Sequence, residues 1–357
     1  MRFCDLPTPA LIADRKIILE NMQKMSEILE GKKLRLRPHY KSNKCSALAH
    51  MQMERGAVGI TCAKLSEAED LVMSGIDDVL IANQIVGKDK LFRLALLAGK
   101  CRLTVCVDDE SNARDLSEAA VITGNTVHCL VEYEIGMERC GIADPQDYLK
   151  LAKIISELPN LEYDGIQAYA GHVSHMLSRE ERLGYTEENF SKIRELKALL
   201  EKSGIEVRTI SGGSTGTAEI KAEGDLYTEL QAGSYFFLDS TYNKLDIPFR
   251  NSLYVLATVM SKKPGLTILD VGVKGLGTDQ DDPLVFTLNG EEVKGNFELN
   301  EEHFKIFSPS ADLAMGEKVM IIPGHCCSTV NLYDQLYLYE DDKVVDRLGI
   351  TARGCSR

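Results

Sequence analysis

Short apolar runs alternate with segments of helical periodicity through the first two thirds of the chain. A buried parallel strand reads as a short, nearly continuous apolar run, because helices cover both faces of a parallel sheet. Eight strands joined by helical crossovers predict a closed (β/α)8 barrel of the TIM type rather than an open sheet. The eight runs are LRLRPHY at 34–40, VGITC at 58–62, DVLIA at 78–82, LTVCV at 103–107, TVHCLVEY at 126–133, YDGIQAY at 163–169, EVRTIS at 206–211 and SYFFLD at 234–239.

The helical periodicity ends near residue 245, and β-rich runs such as SLYVLATVM, LTILDVGV and QLYLYE follow, with Asn289-Gly290 as a turn signal. We therefore predict a barrel domain over 16–243 and an all-β C-terminal domain over 244–357. Residues 1–15 are expected to add a strand to the β domain. The barrel domain begins with an amphipathic helix over 16–30, which Gly31 ends.

The charge balance excludes some classes of partner. The 357-residue chain has 41 Lys and Arg residues against 54 Asp and Glu, a net charge of −13, and no basic stripe. We therefore expect neither a nucleic-acid nor a membrane partner. Ten cysteines in a chain that begins without an export signal indicate reduced thiols, so we expect a cytoplasmic location.

The end of the first predicted strand carries a candidate nucleophile. Barrel enzymes place their active sites at the carboxyl ends of the strands, and this strand ends in RPHYK, with Lys41 last. A lysine inside a pocket loses its proton readily and can form a Schiff base with an aldehyde cofactor. Lys41 is therefore the candidate Schiff-base residue, although lysines are more often surface residues without a catalytic role.

Two neighbouring segments suit a phosphate group. Three glycines in SGGSTGT at 211–217 let successive backbone N–H groups turn toward one anion, and the hydroxyl side chains add donors. Barrels commonly bind phosphate between the loops that follow strands seven and eight. The candidate phosphate residues are Gly212, Gly213, Ser214, Thr215, Gly216 and Thr217, with Gly233, Ser234 and Tyr235 from the start of the eighth predicted strand.

Strands five and six lead into further polar residues. Arg139 in GMERCG could hold the phenolic oxygen of pyridoxal 5'-phosphate (PLP), or it could form an outward salt bridge. Tyr169, His172 and His175 follow strand six, and this group could supply a catalytic base or a partner for a metal-bound water. We expect at least one of the two histidines to be structural.

The segment PGHCCSTVNLYDQ at 323–335 carries a candidate metal pair. In an extended segment His325 and Cys327 would point to the same side, and nitrogen and sulfur donors suit Zn²⁺. Two ligands are too few for a structural zinc but fit an open catalytic site. A buried cysteine beside a histidine is also common in packed cores, so this spacing alone is weak evidence for a metal site.

Together these residues resemble the fold-type III PLP enzymes of the D-threonine aldolase and D-serine dehydratase group, relatives of alanine racemase. The segments that carry the resemblance are LPTPALIAD, RPHYKSNK, ANQIVG, EIGMERCG, SGGSTGT, ELQAGSYFFLD, PGHCCSTVNLYD and TARG. The resemblance implies a head-to-tail homodimer, PLP on Lys41 with Arg139 near its hydroxyl, and a divalent metal, Zn²⁺ or Mn²⁺, on His325 and Cys327.

The resemblance also implies a lyase acting on D-configured β-hydroxy-α-amino acids, and two reactions stay open. An aldolase acting on D-threonine or D-3-hydroxyaspartate would give glycine and an aldehyde, with His172 or His175 as the base. A D-serine or D-threonine dehydratase would give a 2-keto acid and ammonia, with Lys41 as a candidate base. Aldolases of the group carry His-x-Asp and the dehydratases His-x-Cys, so Cys327 favours dehydration, whereas the flanking STVNLYD favours the aldolases.

Two further alternatives remain. An amino-acid racemase would need a second base on the opposite face of Cα and would be indifferent to chelators. A PLP-carrier protein without efficient catalysis would resemble the barrel alone, and the β-rich C-terminal part argues against it. We take the aldolase as the best prediction.

Overall fold

The computed structural model describes residues 1–308 and 313–357. The chain divides into two compact units, which we call the β unit and the barrel unit. The β unit comprises Met1–Met25, Ser42–Ala47 and Ser234–Gly354, and the barrel unit comprises Ser26–Lys41, Leu48–Gly233 and Cys355–Arg357. None of the described helices has both the length and the apolar character needed to cross a bilayer.

Eight parallel strands form the sheet of the barrel unit, and each pairs with its neighbour in chain order from strand 2 to strand 8. Strand 8 pairs with strand 1, and a parallel bridge between His39 and Thr61 joins strand 1 to strand 2. The predicted (β/α)8 barrel is therefore confirmed. Barrel strands 1 to 8 are Arg35–Leu36, Ile60–Cys62, Asp78–Gln84, Arg102–Val107, Val127–Glu132, Leu161–Ala168, Thr209–Gly212 and Glu229–Leu230.

The helices begin and end where local chemistry predicts. Asp144 accepts hydrogen bonds from the first backbone N–H groups of the helix that starts at Pro145. Gly31 has φ +70° just after the first helix, as its glycine stop requires. The larger helices are Arg15–Leu29, Ser46–Met53, Leu65–Met73, Lys88–Leu97, Glu110–Thr123, Pro145–Glu157, Arg179–Lys202 and Ala218–Glu223.

The prediction of strand 8 at 234–239 is wrong. Strand 8 is Glu229–Leu230, and Ser234–Phe236 forms a 3-10 turn. The apolar run misleads because Phe236 and Phe237 are fully buried in a non-extended backbone, and periodicity alone does not separate burial from strand structure. Ser234 and Tyr235 therefore follow strand 8 instead of opening it.

The β unit is built on a nine-stranded sheet that is antiparallel apart from one pair. Ala10–Asp14 lies between Leu253–Lys263, to which it is antiparallel, and Gln335–Glu340, to which it is parallel. Leu11 and Ile12 on this strand are fully buried. The remaining strands are Leu266–Leu269, Leu284–Thr287, Asn296–Leu299, Phe304–Phe307, Lys318–Ile322 and Lys343–Gly349.

Charged side chains fill the barrel at the amino ends of its strands. Buried Arg37 donates to Asp78 at 2.6 Å and to Glu229 at 2.7 Å, and these are the first residues of strands 3 and 8. Arg102, which begins strand 4, donates to Asp164 of strand 6. Buried charges are tolerated only when they are paired in this way. We call these five residues the amino-end cluster.

Candidate active site

Lys41 lies at the end of strand 1, where the chain turns through the 3-10 segment Tyr40–Ser42. Tyr40 anchors this turn, because it is buried and its hydroxyl donates to Asp70 at 2.6 Å. Lys41 is exposed, and its backbone N–H donates to His39 Nδ1 at 3.3 Å. The lysine amine therefore stands at the carboxyl end of the barrel on a fixed backbone.

Tyr169 lies close to both cations predicted for the cofactor site. Lys41 Nζ is 5.7 Å from the centroid of the Tyr169 ring, and the Arg139 guanidinium carbon is 5.8 Å from the same centroid. Both distances are in the range of cation–π contact. The barrel unit thus brings together Lys41, Arg139 and Tyr169, which come from the ends of three different strands.

Arg139 forms an ion pair with a buried carboxylate. Arg139 Nη2 lies 3.9 Å from Glu132 Oε1, and Gln84 Nε2 donates to Glu132 Oε2 at 2.5 Å. Burial raises the pKa of Glu132, while the Gln84 hydrogen bond and the charge of Arg139 oppose the shift. Arg139, with a side chain that is 51% exposed, thus forms an ion pair with a buried residue at the end of strand 5.

The two candidate histidines sit in and beside the 3-10 turn Gly171–Val173. His172 is exposed, and its Nδ1 lies 3.5 Å from Met137 Sδ. Its ring meets Tyr185 edge-on, with centroids 6.1 Å apart. His175 is partly buried. Neither imidazole is fully buried in the core.

The loop after strand 7 is a tight, buried cradle. Gly213 has φ +76°, a left-handed conformation that favours glycine. A Cβ on Gly212 would collide with the Ala168 carbonyl, and one on Gly216 with the Ser174 carbonyl. Ser214 and Thr217 hydroxyls lie 3.1 Å apart and hold the loop closed. The glycines therefore permit a close backbone approach that other residues would block.

Two hydroxyl groups at this cradle have no hydrogen-bond partner within residues 1–308 and 313–357. They are Thr215 Oγ1 and Ser174 Oγ, and both residues are at most 2% exposed. A buried hydroxyl without a partner is costly, and a bound anion would satisfy it. The donors present thus fit a phosphate group. Ser174 was not a predicted site residue, because only the packing of Gly216 brings it to the loop.

The predicted extended conformation at PGHCC is wrong. His325 is extended, with φ −142°, but it caps a short helix, Cys326–Val330, which includes Cys327. The two side chains still interact, because the neighbouring Cys327 thiol helps to raise the pKa of His325. Cys326 points into the core and is fully buried, while its backbone N–H donates to Asp239 at 2.9 Å. The start of this helix, rather than a strand, therefore makes His325 and Cys327 neighbours.

A carboxylate and a hydroxyl flank the His325–Cys327 pair. His325 Nδ1 lies 2.7 Å from Asp279 Oδ2, and Cys327 Sγ lies 3.8 Å from Ser234 Oγ. Burial lowers the pKa of His325, but the hydrogen bonds and negative charges of Cys327 and Asp279 outweigh it and raise the pKa to about 9. Imidazole and thiol side by side form a donor set that suits Zn²⁺ and similar divalent ions.

Comparisons with known proteins agree with this geometry. Residues 13–241 match the family model described as alanine racemase, N-terminal domain, and residues 252–339 match a putative serine dehydratase domain. The D-threonine aldolase of Arthrobacter sp. is 40% identical over 357 residues, which cover 98% of this chain and 93% of the relative. The chain belongs to the D-threonine aldolase and D-serine dehydratase family.

Other members of this family are similar over equal lengths. The 3-hydroxy-D-aspartate aldolase of Paracoccus denitrificans (strain Pd 1222) is 33% identical over 362 residues, covering 98% of this chain and 93% of the relative. The crystal structure of D-threonine aldolase from Filomicrobium marinum superposes with a TM-score of 0.96 at 36% identity, covering 100% of this chain and 98% of that one. The predicted family is confirmed.

A second group of possible metal ligands lies at the wrong end of the barrel for this family. His128, Glu162 and Asp164 have ligand atoms within 4.8 Å of one another. They lie near the amino ends of strands 5 and 6, and Asp164 already accepts hydrogen bonds from Arg102 and Arg208. Because two guanidinium groups neutralise the carboxylate, we interpret the group as an ion-pair network that extends the amino-end cluster.

Lys221 is a buried cation that the sequence did not single out. It is 3% exposed, and its Nζ lies 3.8 Å from the centroid of Tyr227 and 4.8 Å from that of Phe190. Its Cγ would lie 3.3 Å from a Cβ on Gly213, so it packs against the glycine-rich loop over 212–217. Burial lowers the pKa of Lys221 to about 7.

Replacing Lys221 with Met should flatten the pH dependence of stability. The lysine has a pKa of about 7 when folded and 10.5 as its reference value, so the unfolded chain binds the proton more tightly. The free energy of unfolding should therefore rise by up to about 1.4 kcal/mol per pH unit as pH increases between these values. Urea denaturation of wild type and Lys221→Met at pH 7.5, 8.5 and 9.5 should show this slope only in wild type. Lys150→Met, on an exposed helix face, should keep it.

Replacing Gly216 with Ala should destabilise the cradle. The added Cβ meets the Ser174 carbonyl, and overpacking of a rigid site costs about 1–3 kcal/mol. Gly184 is a matched control, because it lies in the helix Arg179–Lys202 and an added Cβ meets nothing within 4 Å. Gly184→Ala should instead raise stability by about 0.5–1 kcal/mol. Equal melting temperatures for the two variants would contradict the steric argument.

Proposed function

We propose that this protein is a PLP- and divalent-metal-dependent aldolase that cleaves D-configured β-hydroxy-α-amino acids into glycine and an aldehyde. It is a lyase of the PLP-dependent family identified above. The observation that carries the proposal is the 40% identity to a D-threonine aldolase across both matched domains. The 3-hydroxy-D-aspartate aldolase relative supports the same reaction on a related side chain.

The residues of the barrel mouth would hold PLP. Lys41 would bind the cofactor aldehyde covalently, and Arg139 would face its phenolic oxygen. The cradle over 212–217, together with Gly233, Ser234 and Tyr235, would bind its phosphate. The Thr215 hydroxyl, which has no hydrogen-bond partner among the residues that the structure describes, supports this assignment because it offers a donor at a buried site. The hydrogen bond between the Ser214 and Thr217 hydroxyls closes the turn around it.

His325 and Cys327 would hold the divalent metal, Zn²⁺ or Mn²⁺. When bound, PLP supplies an electron sink for the charge left at Cα, and the metal polarises the β-hydroxyl oxygen. The chain has to position the amino acid so that the Cα–Cβ bond can break. The Arg139 guanidinium lies 5.8 Å from the Tyr169 ring. Both side chains would orient polar groups of the substrate near Lys41.

Cleavage of Cα–Cβ requires removal of the β-hydroxyl proton, and the imidazoles of His172 and His175 are the candidate bases. Tyr169 is a further candidate for moving a proton, because its ring lies next to the Lys41 amine. Their placement after strand 6, at the carboxyl end of the barrel, supports this role. The exposed position of His172 leaves it accessible to a substrate hydroxyl.

A dehydratase is the second candidate, and Cys327 is the residue that favours it. In that reaction a base such as Lys41 would remove the Cα proton, and hydroxide would leave from Cβ. Loss of water and hydrolysis would then give a 2-keto acid and ammonia. The two reactions break different bonds, so their products separate them.

The deciding experiment is a product assay on PLP-loaded protein. D-threonine, D-3-hydroxyaspartate and D-serine are supplied separately, with EDTA or with added Zn²⁺ or Mn²⁺. We expect metal-dependent glycine plus an aldehyde from at least one of the first two substrates. Metal-dependent keto acid and ammonia would establish the dehydratase instead. Racemised amino acid that forms regardless of chelator would indicate a racemase, and intact PLP binding without any product would indicate a carrier.

We also infer a homodimer in the cytoplasm. The head-to-tail arrangement rests on the family resemblance, and a molecular mass near twice 39.6 kDa in sedimentation or light scattering would support it. The ten cysteines, all in the described part of the chain, form no disulfide, which fits a reducing compartment.

A further inference from the structure

The contacts of Asp279 are organised around the imidazole of His325. Asp279 Oδ2 lies 2.7 Å from His325 Nδ1, and Asp279 Oδ1 accepts a hydrogen bond from Ser328 Oγ at 2.6 Å. Both oxygens of one carboxylate are therefore engaged by residues at the first turn of the helix Cys326–Val330. A carboxylate held at two points has a defined orientation toward the ring.

The backbone before Asp279 is packed onto the same helix. A Cβ on Gly277 would overlap Ser328 Oγ, and the Gly277 N–H donates to Thr329 Oγ1 at 3.0 Å. Thr329 Oγ1 in turn donates to the His325 carbonyl at 2.8 Å. The segment 277–279 and the helix start are thus tied by hydrogen bonds and by a close approach that only glycine permits. These hydrogen bonds and this close packing hold the Asp279–His325 contact in place.

We propose that Asp279 is a positioning residue that fixes the Nδ1–H tautomer and the ring orientation of His325, so that Nε2 is presented to the divalent metal. This inference rests on the proposed function, since it assumes that His325 and Cys327 are the metal pair. Histidines that bind metals commonly donate their second ring N–H to a carboxylate, and loss of that partner weakens the metal site about 10- to 100-fold.

Asp279 acts on His325 through the geometry of its hydrogen bond rather than through its negative charge. Its side chain is 55% exposed, so water and salt screen most of its electrostatic attraction. A short hydrogen bond to one ring nitrogen still selects the tautomer, because only the protonated nitrogen can donate to it. The effect should therefore appear in metal affinity and not in the stability of the fold.

The test measures Zn²⁺ affinity by competition with a chromogenic chelator in PLP-loaded protein. Asp279→Asn should weaken Zn²⁺ binding about 10- to 100-fold, with the PLP absorbance and melting temperature unchanged. Ser328→Ala removes one anchor of the carboxylate and should weaken binding about fivefold, the value of one hydrogen bond. Asp282→Asn makes the same charge change at an exposed position nearby and should bind Zn²⁺ like wild type.

A spectroscopic measurement separates positioning from loss of the site. In Co²⁺-loaded Asp279→Asn the thiolate charge-transfer band of Cys327 should persist while the ligand-field bands shift, because the imidazole has reoriented. Zn²⁺ affinity equal to wild type in Asp279→Asn, together with lost binding in His325→Ala, would overturn the role of Asp279 alone. Wild-type affinity in His325→Ala would show instead that the proposed metal pair is wrong.

Discussion

Replacing Lys41 with Ala should abolish turnover and leave PLP bound only weakly. If Lys41 holds the cofactor covalently, no neighbouring side chain on the same turn replaces it, because Tyr40 is buried and bonded to Asp70. Loss of a covalent catalytic group costs roughly 10⁴-fold or more in kcat. The measurement is the product assay together with the visible absorbance of the cofactor after dialysis.

Two variants make the Lys41 result specific. Lys41→Arg keeps the positive charge near the Tyr169 ring but provides no nucleophilic amine, so it should be as inactive as Lys41→Ala. Lys100→Met removes an exposed lysine just before strand 4, at the opposite end of that strand from the mouth, and should retain full activity. Substantial turnover by Lys41→Arg would show that the lysine acts only through its charge.

Replacing His325 with Ala should remove the metal dependence and most of the activity. A Lewis acid contributes several kcal/mol to such a reaction, which corresponds to a fall of about 10²-fold or more. The residual activity should be insensitive to EDTA, and added Zn²⁺ or Mn²⁺ should not restore it. The assay compares initial rates with and without chelator for the wild type and the variant.

The control for His325 is His303→Ala, since His303 is exposed in the β unit and no role is assigned to it. Its activity and its response to EDTA should match wild type. Retained metal dependence in His325→Ala would contradict the assignment of the metal pair. Cys327→Asp tests the second ligand, because it introduces the His-x-Asp pair typical of the aldolases and should keep a metal-dependent reaction.

The sequence predicts the barrel well because buried parallel strands and amphipathic helices carry different periodicities. It fails where burial and strand structure separate, as at Phe236 and Phe237, which are apolar because they are in the core and not because they are extended. The two-residue strand Glu229–Leu230 has too little pattern to be recognised at all.

The site shows the same division between local and long-range information. Lys41 follows a strand directly, and the strand end is a local signal. The contact of Asp279 with His325 joins residues 46 positions apart, and Ser174 reaches the candidate phosphate loop only through the packing of Gly216. Such contacts depend on the completed fold, so no spacing along the chain announces them. The sequence predicts the His325–Cys327 pair from an extended backbone, whereas Cys327 lies in the short helix Cys326–Val330.

The amino-end cluster offers a practical handle on this enzyme. Arg37 ties strand 1 to strands 3 and 8, and Arg102 ties strand 4 to strand 6, all at the end of the barrel opposite Lys41. Engineers who wish to widen the range of accepted aldehydes can therefore vary the loops at the mouth while the amino-end cluster preserves the scaffold. Conversely, a substitution at Asp78 or Glu229 would leave the buried Arg37 guanidinium without one of its partner carboxylates and should lower the tolerance of the whole barrel to heat or solvent.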